Sequence, residues 1–256
     1  MRVVAADAPD SPCWVIDMEA LEANLRQLAD VQRRAQCRIL LALKGFATWS
    51  TFPLVGRYLA GATASSPHEA RLAREKLGGE VHACAPAYAP EALAELVTLC
   101  DHVVFNSFHQ WQRSRAVIAD APRPPSCGVR VNPEHREVKV ALYDPCAPRS
   151  HLGVTLPEFR SDLLDGLEGL HFHTLCQLDH DALERTLAVV ERKFGGALAR
   201  MRWINLGGGQ RITSSGYDVD GLVDLIRRIR DRYGLTVYLE PGEAVAIRFS
   251  AFQSTA

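Results

Sequence analysis

The chain has 256 residues, 47% hydrophobic and 23% charged, enough for one large α/β domain with a sizeable core. Its 29 basic and 30 acidic side chains give a formal net charge of −1. With no long run of one sign, nucleic acid and anionic membrane surfaces are not expected partners, and a small molecule is. Seven cysteines, Cys13, Cys37, Cys84, Cys100, Cys127, Cys146 and Cys176, form no C-x-x-C pair and follow no signal peptide. No apolar window approaches the ~18–20 residues that span a bilayer, so a soluble, cytoplasmic protein is expected.

In chain order, Met18, Leu21, Leu25 and Leu28 recur at helical spacing behind Asp17 as N-cap, which predicts a helix over 18–34. The apolar run "LLALK" then predicts a strand that ends on a cation, Lys44. "GATASS" predicts a second strand. The helix after it has Ser66 as N-cap, Pro67 at the first helical position, Glu69 closing a capping box and Gly78-Gly79 as the stop. Further strands are predicted at 80–85, 102–107, 128–133, 169–174, 203–209 and 236–242. Helices are predicted at 90–100, 108–119, 157–165, 181–194 and 219–233.

Eight strands alternating with helical segments imply parallel strands with right-handed crossovers and a closed (β/α)8 TIM-type barrel, an α/β fold. An open doubly wound sheet is the alternative, weakened because the first strand-to-helix turn carries no G-x-G-x-x-G. The chain divides into an N-terminal segment with the first helix (1–35), a barrel (36–246) and a tail (247–256).

Chemistry in a barrel sits where strands end. The strand ends here are Lys44, Ser65-Ser66, Asn106, Asn132, His173, Gly207-Gly208-Gly209 and Glu240. Alternation places Ala42 with Lys44, Arg130 with Asn132, His171 with His173, and Tyr238 with Glu240. If those faces point inward, the converging charges need mutual pairing or a ligand. Lys44 reads either as a solvated strand-end lysine or as an amine of depressed pKa that forms a Schiff base. "LGGGQ" (206–210) is a flexible turn or a phosphate cup. Glu240 is an ordinary salt-bridge partner or a carboxylate that keeps a pyridine nitrogen protonated. The pair in "HFH" is a packed core residue beside an imidazole stacked on an aromatic cofactor, or a metal-binding His-x-His.

The motifs "ALKGFATWS", "SSPHEARLARE", "RVNPEH", "YDPCAP" with "HLGV", "LHFHTLC", "NLGGG" and "LEPGEAVA" resemble, in order and spacing, those of carboxynorspermidine (carboxyspermidine) decarboxylase. That family lies in the alanine-racemase-like, ornithine-decarboxylase-like group of pyridoxal 5'-phosphate (PLP) enzymes of fold type III. The resemblance runs from about residue 12 to 246. It implies that Lys44 is the Schiff-base lysine, that His173 stacks on the pyridine ring, that Gly207, Gly208 and Gly209 bind phosphate, and that Glu240 pairs with the ring nitrogen. It also implies decarboxylation of a carboxylated triamine to norspermidine or spermidine, a homodimer, and no metal.

Glu243 stands where related basic-amino-acid decarboxylases carry arginine, and an acid there suits a polycationic substrate. A surface salt bridge is its plainer reading. Two departures from the family pattern are His151 before "LG" and Gln177 after "HTLC". The family continues into a C-terminal β-domain, whereas the last ten residues here no longer resemble it. The resulting expectations are a truncated copy that binds PLP but decarboxylates poorly, and an exposed or disordered segment 1–15. Two competing readings are a stand-alone PLP-binding homeostasis barrel and a metal-dependent barrel hydrolase using His171 and His173.

Overall fold

The computed structural model describes residues 13–247 and 250–253. The described chain opens on strand β1 (Cys13–Ile16) and helix α1 (Met18–Ala35). Asp17 caps α1 by accepting from the Ala20 amide at 3.0 Å, and Leu21, Leu25, Leu28 and Val31 form its buried stripe. Strand β2 (Arg38–Ala42) follows, then the single turn α2 (Phe52–Val55) and strand β3 (Gly61–Ala64). Helix α3 (Pro67–Leu72) continues into one π turn, Ala73–Leu77, that stops at Gly78 with φ +79°.

The repeat goes on through β4 (Glu80–Cys84), α4 (Pro90–Leu99), β5 (His102–Phe105), α5 (Phe108–Ala119), β6 (Ser126–Arg130) and β7 (Gly169–His171). It closes with α6 (His180–Leu198), β8 (Trp203–Asn205), α7 (Val219–Tyr233), β9 (Thr236–Leu239), the short α8 (Glu243–Ala246) and β10 (Ser250–Gln253). Strands β2 to β9 form a closed parallel barrel in chain order, sealed where Ile39 pairs with Leu239. The barrel expected from the sequence is thus present, and the open sheet is excluded.

Outward residues such as Ile39, Leu41, Val103, Leu170 and Val237 pack against the helices in one continuous core. Inside the barrel Leu40, Val104, Trp203 and Tyr238 form a second cluster. Trp203 fits there because two neighbouring strands carry glycine at its level: Gly128 pairs with Gly169, and Gly169 with Trp203. A Cβ on Gly169 would stand 2.0 Å from Cδ2 of Trp203, and one on Gly128 2.3 Å from its Cη2. The indole N–H donates to Ser126 Oγ at 2.8 Å, so its one polar atom is satisfied. Among these rings His82 and His102 stack with centroids 4.0 Å apart, and His82 also lies 4.7 Å from Tyr238.

Four expectations need correction. The strands stop one to four residues before the stretches predicted for them do, so Lys44, Asn132 and His173 sit in the turns beyond the ladder. No helix forms over 157–165. That stretch holds 3-10 turns at Leu156–Glu158 and Ser161–Leu163, because a capping box of Thr155 and Glu158 closes after one turn and Gly166 adopts φ +81°. Phe159 does the covering a helix would have done, with its ring between Phe108 and Phe194 at 5.3 and 5.2 Å. At the Ser66 cap, Glu69 accepts from the Ser65 amide rather than that of Ser66, one residue further out than the capping box predicts. Finally, Cys13–Val15 of the segment 1–15, expected to be exposed or disordered, belongs to a strand that pairs antiparallel with Ser250–Gln253. Residues 1–12 of that expectation lie outside the described residues.

Overfilling the Trp203 site should destabilise the barrel. Gly169→Ala is expected to lower the urea midpoint at unchanged slope, by about 1–3 kcal/mol of unfolding free energy. An equilibrium urea titration followed by tryptophan fluorescence checks it.

Candidate active site

The turn after β2 is built to hold Lys44 toward the last strand. The amides of Gly45 and Phe46 both donate to the Ala42 carbonyl, at 2.9 and 3.1 Å. A Cβ on Gly45 would lie 2.9 Å from the Gly242 Cα, so only glycine lets this turn rest on the Glu-Pro-Gly loop after β9. The Ala42 amide donates to the Pro241 carbonyl at 3.0 Å. The result is that Lys44, Thr63, Ser65, Cys84, Arg130, His171, His173 and Glu240 line one cavity of about 310 Å3 at the barrel mouth. Among the described residues Lys44 makes no hydrogen bond or ion pair, although it lies close enough to influence both His173 and Glu240 electrostatically.

Glu240 is 6% exposed and is held by two side chains from neighbouring strands. Asn205 Nδ2 donates to its Oε1 at 2.7 Å, and His171 Nε2 lies 3.4 Å from its Oε2. Burial by itself would raise the carboxyl pKa, but the hydrogen bond and charge of His171, with Lys44 beyond, hold it well below the carboxylate range. Burial likewise works against charge on His171, but Cys84 and Glu240 overcome it and lift the imidazole to about 9. Glu240 is therefore ionised and His171 protonated near neutrality.

His173 is set the other way. Burial, then the cations Lys44 and Arg130, push its imidazole well below the ordinary value, so it is neutral. Its Nδ1 accepts from the Gly208 amide at 2.9 Å, which places the ring proton on Nε2, and Arg130 Nη2 donates to its carbonyl at 3.1 Å.

The glycine loop is a packed junction, so the flexible-turn reading fails. A Cβ on Gly207 would stand 2.5 Å from the Phe172 carbonyl oxygen, on Gly208 2.2 Å from that of Glu240, and on Gly209 2.1 Å from that of Leu175. The amides of Gly207 and Gly208 are already taken, by Asn205 Oδ1 at 2.9 Å and His173 Nδ1. The Gly209 amide has no acceptor among the described residues, and Gln210, 2% exposed, has both side-chain amide atoms unpartnered. Free donors of that kind suit an anionic group.

Other sequence-predicted groups fall elsewhere. Asn106 binds the His151 carbonyl and the Gly153 amide, and with His151 it lines a neighbouring cleft of about 630 Å3. Asn132 braces the loop after β6 by accepting from the Glu134 amide at 2.9 Å. Glu243 is exposed and accepts from Gln177 Nε2 at 2.8 Å, outside the cavity lining. Asn205, Cys84, Thr63 and Ser65 belong to the site or its walls. Asn205 was missed although it alternates with Trp203 and Gly207 on a predicted strand.

His171 and His173 are committed to Glu240 and Gly208 and do not converge on a common ion. Among the described residues, three donors do lie within 4.8 Å of one another at the other end of the barrel, in Glu80, His82 and His102. The imidazoles there stack nearly parallel, 12° apart, so their in-plane lone pairs run side by side rather than toward one point.

The fold and this mouth define the class: the chain carries the closed barrel of PLP fold type III. No family model matches it. It is 42% identical over 246 residues to a carboxyaminopropylagmatine decarboxylase from Synechocystis, covering 96% of this chain and 63% of that one. It is 40% identical over 235 residues to a carboxynorspermidine/carboxyspermidine decarboxylase from Campylobacter jejuni, covering 92% of this chain and 60% of that one. The crystal structure of carboxynorspermidine decarboxylase complexed with norspermidine from Campylobacter jejuni superposes with a TM-score of 0.88 at 37% identity, covering 95% and 63% of the two chains. More distantly, an SrLDC mutant in complex with PLP shares the fold at 20% identity and TM-score 0.71, over 93% of this chain and 64% of that one. The chain is thus a homologue of the carboxynorspermidine/carboxyspermidine decarboxylases, and spans 60–63% of the length of the curated relatives it matches. No described helix is long and apolar enough to cross a membrane.

A titration consequence follows from His171. Because its folded pKa, about 9, lies above the ordinary 6.5, its contribution to stability is fully present below pH 6.5 and is lost as pH rises through about 9. The urea unfolding free energy of the wild type relative to His171→Asn should therefore shrink by about 1–3 kcal/mol between pH 6.5 and 9.5.

Proposed function

We propose that this barrel holds PLP and belongs to an enzyme that removes carbon dioxide from a carboxylated polyamine, with carboxynorspermidine and carboxyspermidine as its substrates. The observation that carries this reading is the convergence of Lys44, neutral His173 and ionised Glu240 on one cavity. When bound, PLP supplies an aldehyde for an amine and a protonated ring that draws electron density from the carbon losing its carboxylate.

The chain's own groups fit that cofactor. Lys44 offers an amine with no competing partner among the described residues. Glu240, kept ionised by His171 and Asn205, holds a proton on the ring nitrogen. The neutral imidazole of His173 presents a flat face fixed by Gly208. The free Gly209 amide and Gln210 supply donors for phosphate, while Gly207 and Gly208 shape the cup by lacking side chains. Glu243, at the rim beside Gln177, attracts a distal substrate amine. The 42% identical relative's name adds carboxyaminopropylagmatine to the substrates worth comparing.

Borohydride reduction with PLP should leave a pyridoxyl adduct on the Lys44 peptide and none in Lys44→Ala. Glu240→Gln should reduce carbon dioxide release by about 10²–10³-fold, the usual loss when a preorganised electrostatic partner is removed. Glu243→Gln should raise KM more than it lowers kcat. A Lys44 adduct without carbon dioxide release from any of the three substrates would instead favour a stand-alone cofactor-holding barrel, and stoichiometric zinc without an adduct a metal hydrolase.

A further inference from the structure

Glu240 engages one edge of His171, and the other edge is unassigned. Nδ1 of His171 is buried in a residue 1% exposed and has no hydrogen-bond partner among the described residues. A buried polar nitrogen left open normally costs more than one that is paired, so its surroundings deserve an explanation. Cys84, the last residue of β4, lines the same cavity, and its thiol and the His171 imidazole act on one another electrostatically.

Cys84 differs from most of the described cysteines. Cys37, Cys100, Cys127 and Cys146 are buried in the protein interior, where burial pushes their thiols up to about 12, 12, 12 and 11. Burial acts in the same direction on Cys84, but the charge and contact of His171, with Arg130, outweigh it and lower the thiol, against an opposing push from Glu240. The remaining charged and titratable groups around the cavity are Lys44 and His173, the first a cation and the second neutral. Thiol, imidazole and carboxylate thus stand in the order Cys84, His171, Glu240, from β4, β7 and the turn after β9. That order sets a nucleophile beside a cationic imidazole that a carboxylate keeps protonated.

We propose that Cys84 is a modification site within the mouth cavity, where its thiol, sharing the lining with the cations Lys44 and Arg130 and with His171, reacts selectively with small soft electrophiles such as peroxides and haloacetamides. With a haloacetamide the sulfur forms a bond to carbon as the carbon–halogen bond breaks and halide leaves. With hydrogen peroxide the thiolate is oxidised to a sulfenic acid as the O–O bond breaks and hydroxide leaves. In either case the added group occupies the space between Lys44, His173 and Glu240, so modification and a ligand in that cavity exclude one another. The reactivity rests on this geometry and is independent of which ligand the cavity takes.

The test is competitive labelling of the wild-type full chain with iodoacetamide at pH 7, followed by peptide mass mapping. Cys84 is expected to be carbamidomethylated at least tenfold faster than Cys37, Cys100, Cys127, Cys146 and Cys176. His171→Asn should slow the labelling of Cys84 at least fivefold while leaving Cys176 unchanged. Saturating PLP should slow it as well. Labelling of Cys84 no faster than that of Cys176, or a wild-type rate in a folded His171→Asn chain, would overturn the proposal. Because the first comparison uses only the wild-type protein, it decides the matter even if the variant does not fold.

Discussion

The buried carboxylate of Glu240 is the interaction on which the mouth of this barrel depends. A charge at 6% exposure persists only if opposite charge and hydrogen bonds replace the water it has lost, and His171 and Asn205 supply both. Each comes from a different strand, so the charge network fixes the relative height of β7, β8 and the turn after β9. Asn205 also accepts from the Gly207 amide, and Gly208 donates to His173. The glycine loop and the neutral imidazole are therefore positioned by the same chain of contacts.

Close backbone approach is the second constraint. Gly45 against Gly242, and Gly207, Gly208 and Gly209 against the carbonyls of Phe172, Glu240 and Leu175, let four βα turns meet with no side chains between them. Deeper in the barrel the same device works in reverse, since Gly128 and Gly169 vacate the volume that Trp203 fills. Aromatic and imidazole rings thereby occupy the barrel interior beneath the cavity that Lys44, His173 and Glu240 line. Two imidazoles two residues apart, one ending β7 and one in the turn beyond it, carry different charge states, because Cys84 and Glu240 outweigh burial at His171 whereas burial and two cations act together at His173.

Much of this was legible in the sequence because the governing signals are local. Helices α5 and α7 run over the residues their periodicity predicts, and Ser66, Asp17 and Gly78 start or stop helices as their chemistry requires. Eight apolar runs with polar ends gave the barrel and the set of groups at its mouth. The stretch 157–165 was misread because its apolar spacing is helical while Gly166 and the closed box at Thr155 end each turn early. The pairing of Cys13–Ile16 with Ser250–Gln253 was out of reach, since a ladder between segments so far apart leaves no local mark.

By itself, then, the sequence determined the alternating elements, the barrel they close and the identities of Lys44, His173 and Glu240 at its mouth, because periodicity and strand ends are written in neighbouring residues. The tertiary structure alone decided which partner each group meets. It showed that Asn205 and His171 hold Glu240 ionised, that two of the three loop amides already have acceptors, and that Cys84 shares the mouth cavity with His171. Those facts depend on side chains brought together by barrel closure, and closure has no representation in the spacing along any one strand.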